Sequence, residues 1–170
     1  MVILRATRKV QRYLKVTADA AGSSDTALGD WYVNRVVVDR QPLLLLVSEK
    51  SLLPLVIRAK NVATLPTRLP DLVADRLRRL DVAPHLIRAE VEAMKPVIVA
   101  KTTDRSVLGI LVDYAKMMPY YAERWDEAGF RAAESLLSET PCYAGRPFEQ
   151  VIFPRRKTPE LLRERWDRSQ

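Results

Sequence analysis

Between Gly29 and Ile57 the chain carries three apolar, β-rich runs: Trp31 to Asp39, Leu43 to Val47, and Leu52 to Ile57. Asp39-Arg40-Gln41-Pro42 separates the first two, and Ser48-Glu49-Lys50-Ser51 separates the last two. Runs of this composition with breaks this short read as an antiparallel meander against which helices pack. Leu43 to Val47 is apolar at every position, which suits a central strand. Neither face of Trp31 to Asp39 is wholly polar, so both faces of the sheet are expected to be covered. Pro54 cannot donate into a ladder and marks the third run as an edge or irregular strand.

The remainder supplies a strand on either side of this unit and the helices. Val2-Ile3-Leu4 is a short strand, and Thr7 is placed to cap a helix from Arg8 to about Lys15. Thr17 to Leu28 reads as a mobile loop, with neither period nor core residues in Ala21 to Asp25. A helix from Pro70 to about Leu80 and a second from Pro84 form a helical hairpin over one face of the sheet. Pro96 to Ala100 is the last clear strand and leads into a helix ending near Met118, where Pro119 stops it. Tyr120 to Leu137 is helical with a break expected at Gly129. Beyond Thr140 lie an extended tail with a short strand at Gln150 to Phe153 and a charged helix from Pro159 to Asp167. The fold class is α+β: a mostly antiparallel sheet of four or five strands covered by helices, with a basic C-terminal extension. Residues 1–138 are expected to form the core domain. Residues 139–170 form an extension that packs on it or projects from it.

Several chemistries are closed off by counting. Cys142 is the only cysteine and His85 the only histidine of the 170 residues. An internal disulfide is impossible, a zinc site drawn from Cys and His lacks ligands, and a Ser-His-Asp or Cys-His site would rest on His85 alone. No Gly-rich phosphate loop occurs, and neither a cofactor nor a metal is expected. The longest aliphatic run is far too short to span a bilayer. No signal-peptide core is visible, so a cytoplasmic location without membrane partners is the expectation.

Charge is concentrated at the ends. Residues 1–16 hold Arg5, Arg8, Lys9, Arg12 and Lys15 with no acid, whereas residues 17–154 are nearly neutral. Residues 155–170 carry a surplus of +3 that includes Arg155, Arg156 and Lys157. These two ends are where nucleic acid or another polyanion would bind; solvated charge that maintains solubility is the plainer reading. A sharper local arrangement is Lys101-Thr102-Thr103-Asp104-Arg105-Ser106, where a strand feeds a helix N-terminus. Lys101, Thr102, Thr103, Arg105 and Ser106 could hold a phosphate or carboxylate there. Alternatively Asp104 fills that helix end itself as the N-cap. Asp39, Glu49 and Lys50 are the raw material of a metal-dependent nuclease, but adjacent Glu49 and Lys50 point to opposite faces of any strand. Leu161, Leu162 and Trp166 among the charges of the last helix could dock a protein partner.

Three segments together resemble a family of small bacterial proteins of unknown function. They are Val2-Ile3-Leu4-Arg5-Ala6-Thr7-x-Lys9, Gly29-Asp30-Trp31-Tyr32-x-Asn34 and Lys101-Thr102-x-Asp104-Arg105-Ser106-Val107-Leu108-Gly109. The resemblance covers roughly residues 1–125 and leaves out the tail after about Ser138. It implies a stand-alone cytoplasmic bacterial domain and no established activity. Three functional expectations follow: a non-enzymatic nucleic-acid- or polyanion-binding protein using its basic termini, a protein-interaction module of a two-component bacterial system, or an enzyme acting on a phosphate-bearing substrate at Lys101 to Ser106.

Overall fold

A computed structural model describes residues 1–16 and 22–168. The meander forms as β2 (Trp31–Val38), β3 (Gln41–Ser48) and β4 (Pro54–Arg58), with antiparallel ladders β2–β3 and β3–β4. Asp39 and Arg40, both at positive φ, make the β2–β3 turn on their own, so Pro42 lies inside β3. β1 (Val2–Ala6) pairs in parallel with β2 on one side and with β5 (Val97–Lys101) on the other. The sheet is therefore mixed, in the order β4-β3-β2-β1-β5, with its longer ladder antiparallel.

Alternation along the strands builds two cores, one on each face. Val2, Leu4, Trp31, Val33, Leu44 and Leu46 face one core. It is closed by α1 (Arg8–Gln11), α2 (Leu65–Arg79), α3 (Pro84–Ala93) and α6 (Pro154–Trp166). Tyr32, Leu43, Leu45, Val47 and Val56 face the other, under α4 (Arg105–Tyr121) and α5 (Glu127–Ser138). No helix among the described residues is long and apolar enough to cross a membrane.

Several helix boundaries depart from the sequence reading, each for a local reason. α1 stops after four residues and has no side-chain cap, because the Thr7 hydroxyl donates to Asn34 Oδ1 at 2.7 Å instead. Pro119 sits in the last turn of α4, where it removes one helical hydrogen bond without ending the helix. Gly129 does not break α5: a Cβ there would lie 1.8 Å from the Arg124 carbonyl oxygen, so glycine is what lets the preceding loop approach. α6 begins at Pro154, five residues before the expected start, with the proline in the first turn where no amide is needed. The predicted strand at Gln150 to Phe153 reduces to a single bridge between Cys142 and Ile152.

The expected loop over Thr17 to Leu28 lies partly outside the described residues. Its described part is pinned: Ile3 N donates to Ser24 Oγ at 2.9 Å, and Ala27 and Leu28 are buried in the first core. The C-terminal segment is built into both cores. Cys142 and Ile152 lie in the second, and Leu162 is fully buried in the first. The Thr158 hydroxyl, also fully buried, donates to Ser51 Oγ at 2.9 Å and fastens α6 to the β3–β4 turn.

Candidate functional site

The three motif segments meet at the carboxyl ends of β1 and β5. Arg5 Nε lies 2.8 Å from Asp30 Oδ2, and Arg5 Nη1 donates to the Lys101 carbonyl at 3.1 Å. Asp30 Oδ1 also accepts from the Ser24 hydroxyl at 2.6 Å, so this buried pair is fully coordinated. Gly29, at φ +76°, turns the chain into β2 where a Cβ would stand 2.6 Å from Glu49 Oε2. That same oxygen accepts from the Asp30 amide at 3.1 Å. One strand further on, the Tyr32 hydroxyl lies 3.3 Å from Thr103 Oγ1 and accepts from the Asp104 amide at 3.2 Å.

At the start of α4, Asp104 Oδ1 accepts from the Ser106 amide at 2.8 Å and the Ser106 hydroxyl at 2.6 Å, with the Val107 amide at 3.4 Å. The helix end is thus satisfied by its own cap. The bond from the Ser106 hydroxyl, followed by the two amides and the charge of Arg146, holds the Asp104 carboxyl below its ordinary range against the opposing effect of burial. Of the anion-binding candidates, Ser106 is committed to this cap and Thr103 to Tyr32. Lys101 and Arg105 are exposed and Thr102 half-buried.

The basic-terminus candidates divide in the same way. Arg5 is buried against Asp30 and is not presented to a ligand, a correction to the sequence expectation. A buried arginine needs an acid beside it, and Asp30 is that acid. Arg8, Lys9, Arg12 and Lys15 are exposed. Arg155 pairs with Glu139 at 2.6 Å, Lys157 pairs with Glu160 at 2.9 Å, and Arg156 lies 5.1 Å above the Phe153 ring. α1 follows the carboxyl end of β1, whereas Arg165 near the end of α6 donates to the carbonyl of Asp25, whose carboxylate binds the Met1 amino group at the opposite end of β1.

Of the docking candidates on α6, Leu162 is corrected. Leu162 is fully buried, while Leu161 and Trp166 pack partly buried against the same core. Trp166 Nε1 donates to Glu90 Oε2 at 2.8 Å. An apolar helix face that closes a core is not left over for a partner. The nuclease set is not assembled: Asp39 and Glu49 sit in turns at opposite ends of β3. His85 pairs with Asp167 at 2.9 Å on the surface, away from the motif junction. Cys142 is buried beside the Tyr114 hydroxyl, and burial pushes its thiol above the usual range.

Sequence reasoning missed the buried ionic groups. Arg76 and Glu134 lie 3.4 Å apart, both nearly inaccessible, and Arg79 Nη1 reaches Glu134 Oε1 at 2.8 Å. Burial pulls Arg76 down to about 10, against the raising effect of Glu134. Glu90 is fully buried and accepts from the amides of Ala27 and Leu28 and from Trp166. The available signal was periodicity: Glu134 falls on the Phe130–Leu137 face of α5, and Arg76 beside Val73 and Leu77 on α2.

A family model described as a domain of unknown function, DUF6933, matches residues 3–157. The match runs through the Cys142–Ile152 bridge into the first turn of α6, so the likeness extends well past the tail boundary expected from the motifs. No curated protein and no solved structure matches the chain. Because the matched span covers most of the chain, including nearly all of the three motif segments, the chain belongs to the DUF6933 family.

Proposed function

We propose that the protein is a non-enzymatic binder of nucleic acid or a related polyanion, and that the anion is held at the carboxyl ends of β1 and β5. The topology carries this reading. β1 and β5 are adjacent and parallel; β1 continues into α1 on one face of the sheet, and β5 continues into α4 on the other. Parallel strands whose chains part to opposite faces leave a crevice beyond their carboxyl ends, the position where open sheets of this kind take their ligands. The residues that follow these strand ends are cationic: Lys101, Arg105 and the bases of α1 are exposed, with the half-buried Thr102 among them.

The balance of charge supports an anion. Residues 1–16 hold no carboxylate, and Asp104, the one acid in 97–106, is bound up in capping α4. Cations and hydroxyls retain a phosphate; they do not by themselves activate water or a leaving group. The test is fluorescence anisotropy with a labelled oligonucleotide over a range of salt. Affinity should fall linearly with the logarithm of salt, and Lys101→Ala with Arg105→Ala should lower the slope by roughly 1.4 to 1.8, for two fewer neutralised phosphates. Affinity that does not respond to salt, or a double variant indistinguishable from the parent, would overturn the reading.

A further inference from the structure

The loop from Tyr143 to Val151 is held shut at its base. Cys142 N donates to Ile152 O at 2.8 Å and Ile152 N returns to Cys142 O at 2.9 Å, with both side chains buried in the second core. Inside this closed loop two aromatic rings face water. Phe148 is 74% exposed and Tyr143 42%, a large apolar surface to leave uncovered beside a well-filled core. The two rings lie 6.2 Å apart with their planes 31° from parallel, so they present a shared aromatic surface. Arg146 stands between them in sequence, its amide bound to the Tyr143 carbonyl at 2.7 Å.

Cations continue from the rings. A groove of about 510 Å³ beside the loop is lined by Lys50, Arg146, Arg156 and Lys157. Its single carboxylate, Glu160, is already paired with Lys157. The charge of Arg146 also contributes to holding the Asp104 carboxyl below its ordinary range.

We infer that the Tyr143–Phe148 surface stacks the bases of a single-stranded nucleic acid whose phosphates run over Arg146 into the groove of Lys50 and Arg156. The inference rests on the polyanion reading above and names its substrate class. Base stacking on aromatic rings beside a cationic groove is how single strands are held without sequence preference. A duplex keeps its base faces covered, so it can use the cations and not the rings. A polyanion without bases is in the same position. The charge of the groove also selects among occupants of the rings: an apolar peptide would leave Lys50, Arg146 and Arg156 unmatched.

The experiment measures anisotropy with labelled oligothymidylate, with a duplex of equal length, and with inorganic polyphosphate as competitor. It compares the parent with Tyr143→Ala/Phe148→Ala and with Lys101→Ala/Arg105→Ala. Both aromatic positions are exposed, so the thermal midpoint should not move, and its constancy confirms that the fold is intact. The aromatic variant should bind oligothymidylate at least about tenfold more weakly, from the stacking lost per base, while polyphosphate binding stays unchanged. The duplex should bind more weakly than the single strand. An aromatic variant that retains full affinity for oligothymidylate, or a duplex bound as tightly as the single strand, would overturn the inference and leave the polyanion reading standing. Binding of polyphosphate alone would do the same. If neither nucleic acid nor polyphosphate binds at low salt, both readings fall.

Discussion

The two margins of the sheet handle charge in opposite ways. At the β4 edge the outward backbone groups are sealed by α2 and α5. Pro54 O accepts from Arg76 Nε at 3.0 Å, and the Val56 amide donates to Glu134 Oε2 at 3.2 Å. Arg76 Nη2 continues to Ser138 Oγ at 2.6 Å. Each charge there is buried and matched, and the pair substitutes for the neighbouring strand that β4 lacks. At the carboxyl ends of β1 and β5 the Arg5–Asp30 pair is buried, while Lys101, Arg105 and the bases of α1 are exposed. Matched charge holds the fold together, and unmatched charge at a strand terminus is what the proposed anion site draws on.

The sharpest way to break that contrast is to remove one partner at the sealed edge. Glu134→Ala would leave Arg76 buried without its acid and the Val56 amide without an acceptor, and should cost about 3–5 kcal/mol. Denaturant unfolding measures it. Lys101→Ala should change stability by less than about 0.5 kcal/mol, the usual range for an exposed substitution. A loss below about 1 kcal/mol for Glu134→Ala would mean that the edge is not held by the ionic cluster, and the distinction between the two margins would fail.

Glu90 provides a smaller effect with a sign that can be read from pH. Burial raises its carboxyl above the ordinary 4.5, against the lowering effect of the hydrogen bonds from Ala27, Trp166 and Leu28. As pH rises past 4.5 the unfolded chain releases this proton before the folded chain does. The contribution of Glu90 to stability therefore declines as pH climbs from 4.5 through its raised folded value. Glu90→Gln should remove that decline. It also turns an N–H₂ toward groups that donate, which should cost about 1–3 kcal/mol. Unfolding midpoints of parent and variant across this window test both statements. A variant as stable as the parent, with the same pH slope, would remove Glu90 from the account of how α3, α6 and the Leu28 loop are joined.

Much of the margin contrast was legible in part from sequence. The meander could be read because its breaks are short and local, and Pro54 declared β4 an edge. The parallel pairing of β1 could not, since an apolar trio gives no sign of which distant strand will take it. The same limit hid the Arg5–Asp30 pair, 25 residues apart, and made Arg5 look like a surface base. Thr7 was read as a cap because its position suits one, yet its hydroxyl is spent on Asn34 across the sheet. Asp104 was readable because a helix cap acts on amides only two and three residues ahead. Arg146, Tyr143 and Phe148 escaped notice in a tail without periodicity, and only the Cys142–Ile152 bridge shows that their loop is held in place.

Asp104 is where the two kinds of charge meet, and it pairs a modest stability effect with the most pointed binding consequence. Its carboxylate caps α4, so Asp104→Ala should cost about 0.5–2 kcal/mol. The same carboxylate is the one negative charge among the cations of the proposed anion site. Removing it should therefore tighten polyanion binding even as the fold weakens. Asp104→Asn separates the two roles, because an asparagine oxygen still caps the helix without the charge. It should keep most of the stability and show the tighter binding. Since the folded carboxyl lies below its ordinary 3.8, its stabilising contribution is present above that value and is lost as pH falls through the folded one. Both variants should be free of that acid-side loss. If Asp104→Asn binds oligonucleotide more weakly than the parent, the carboxylate is orienting the ligand and the surrounding cations are not acting as a simple anion cradle.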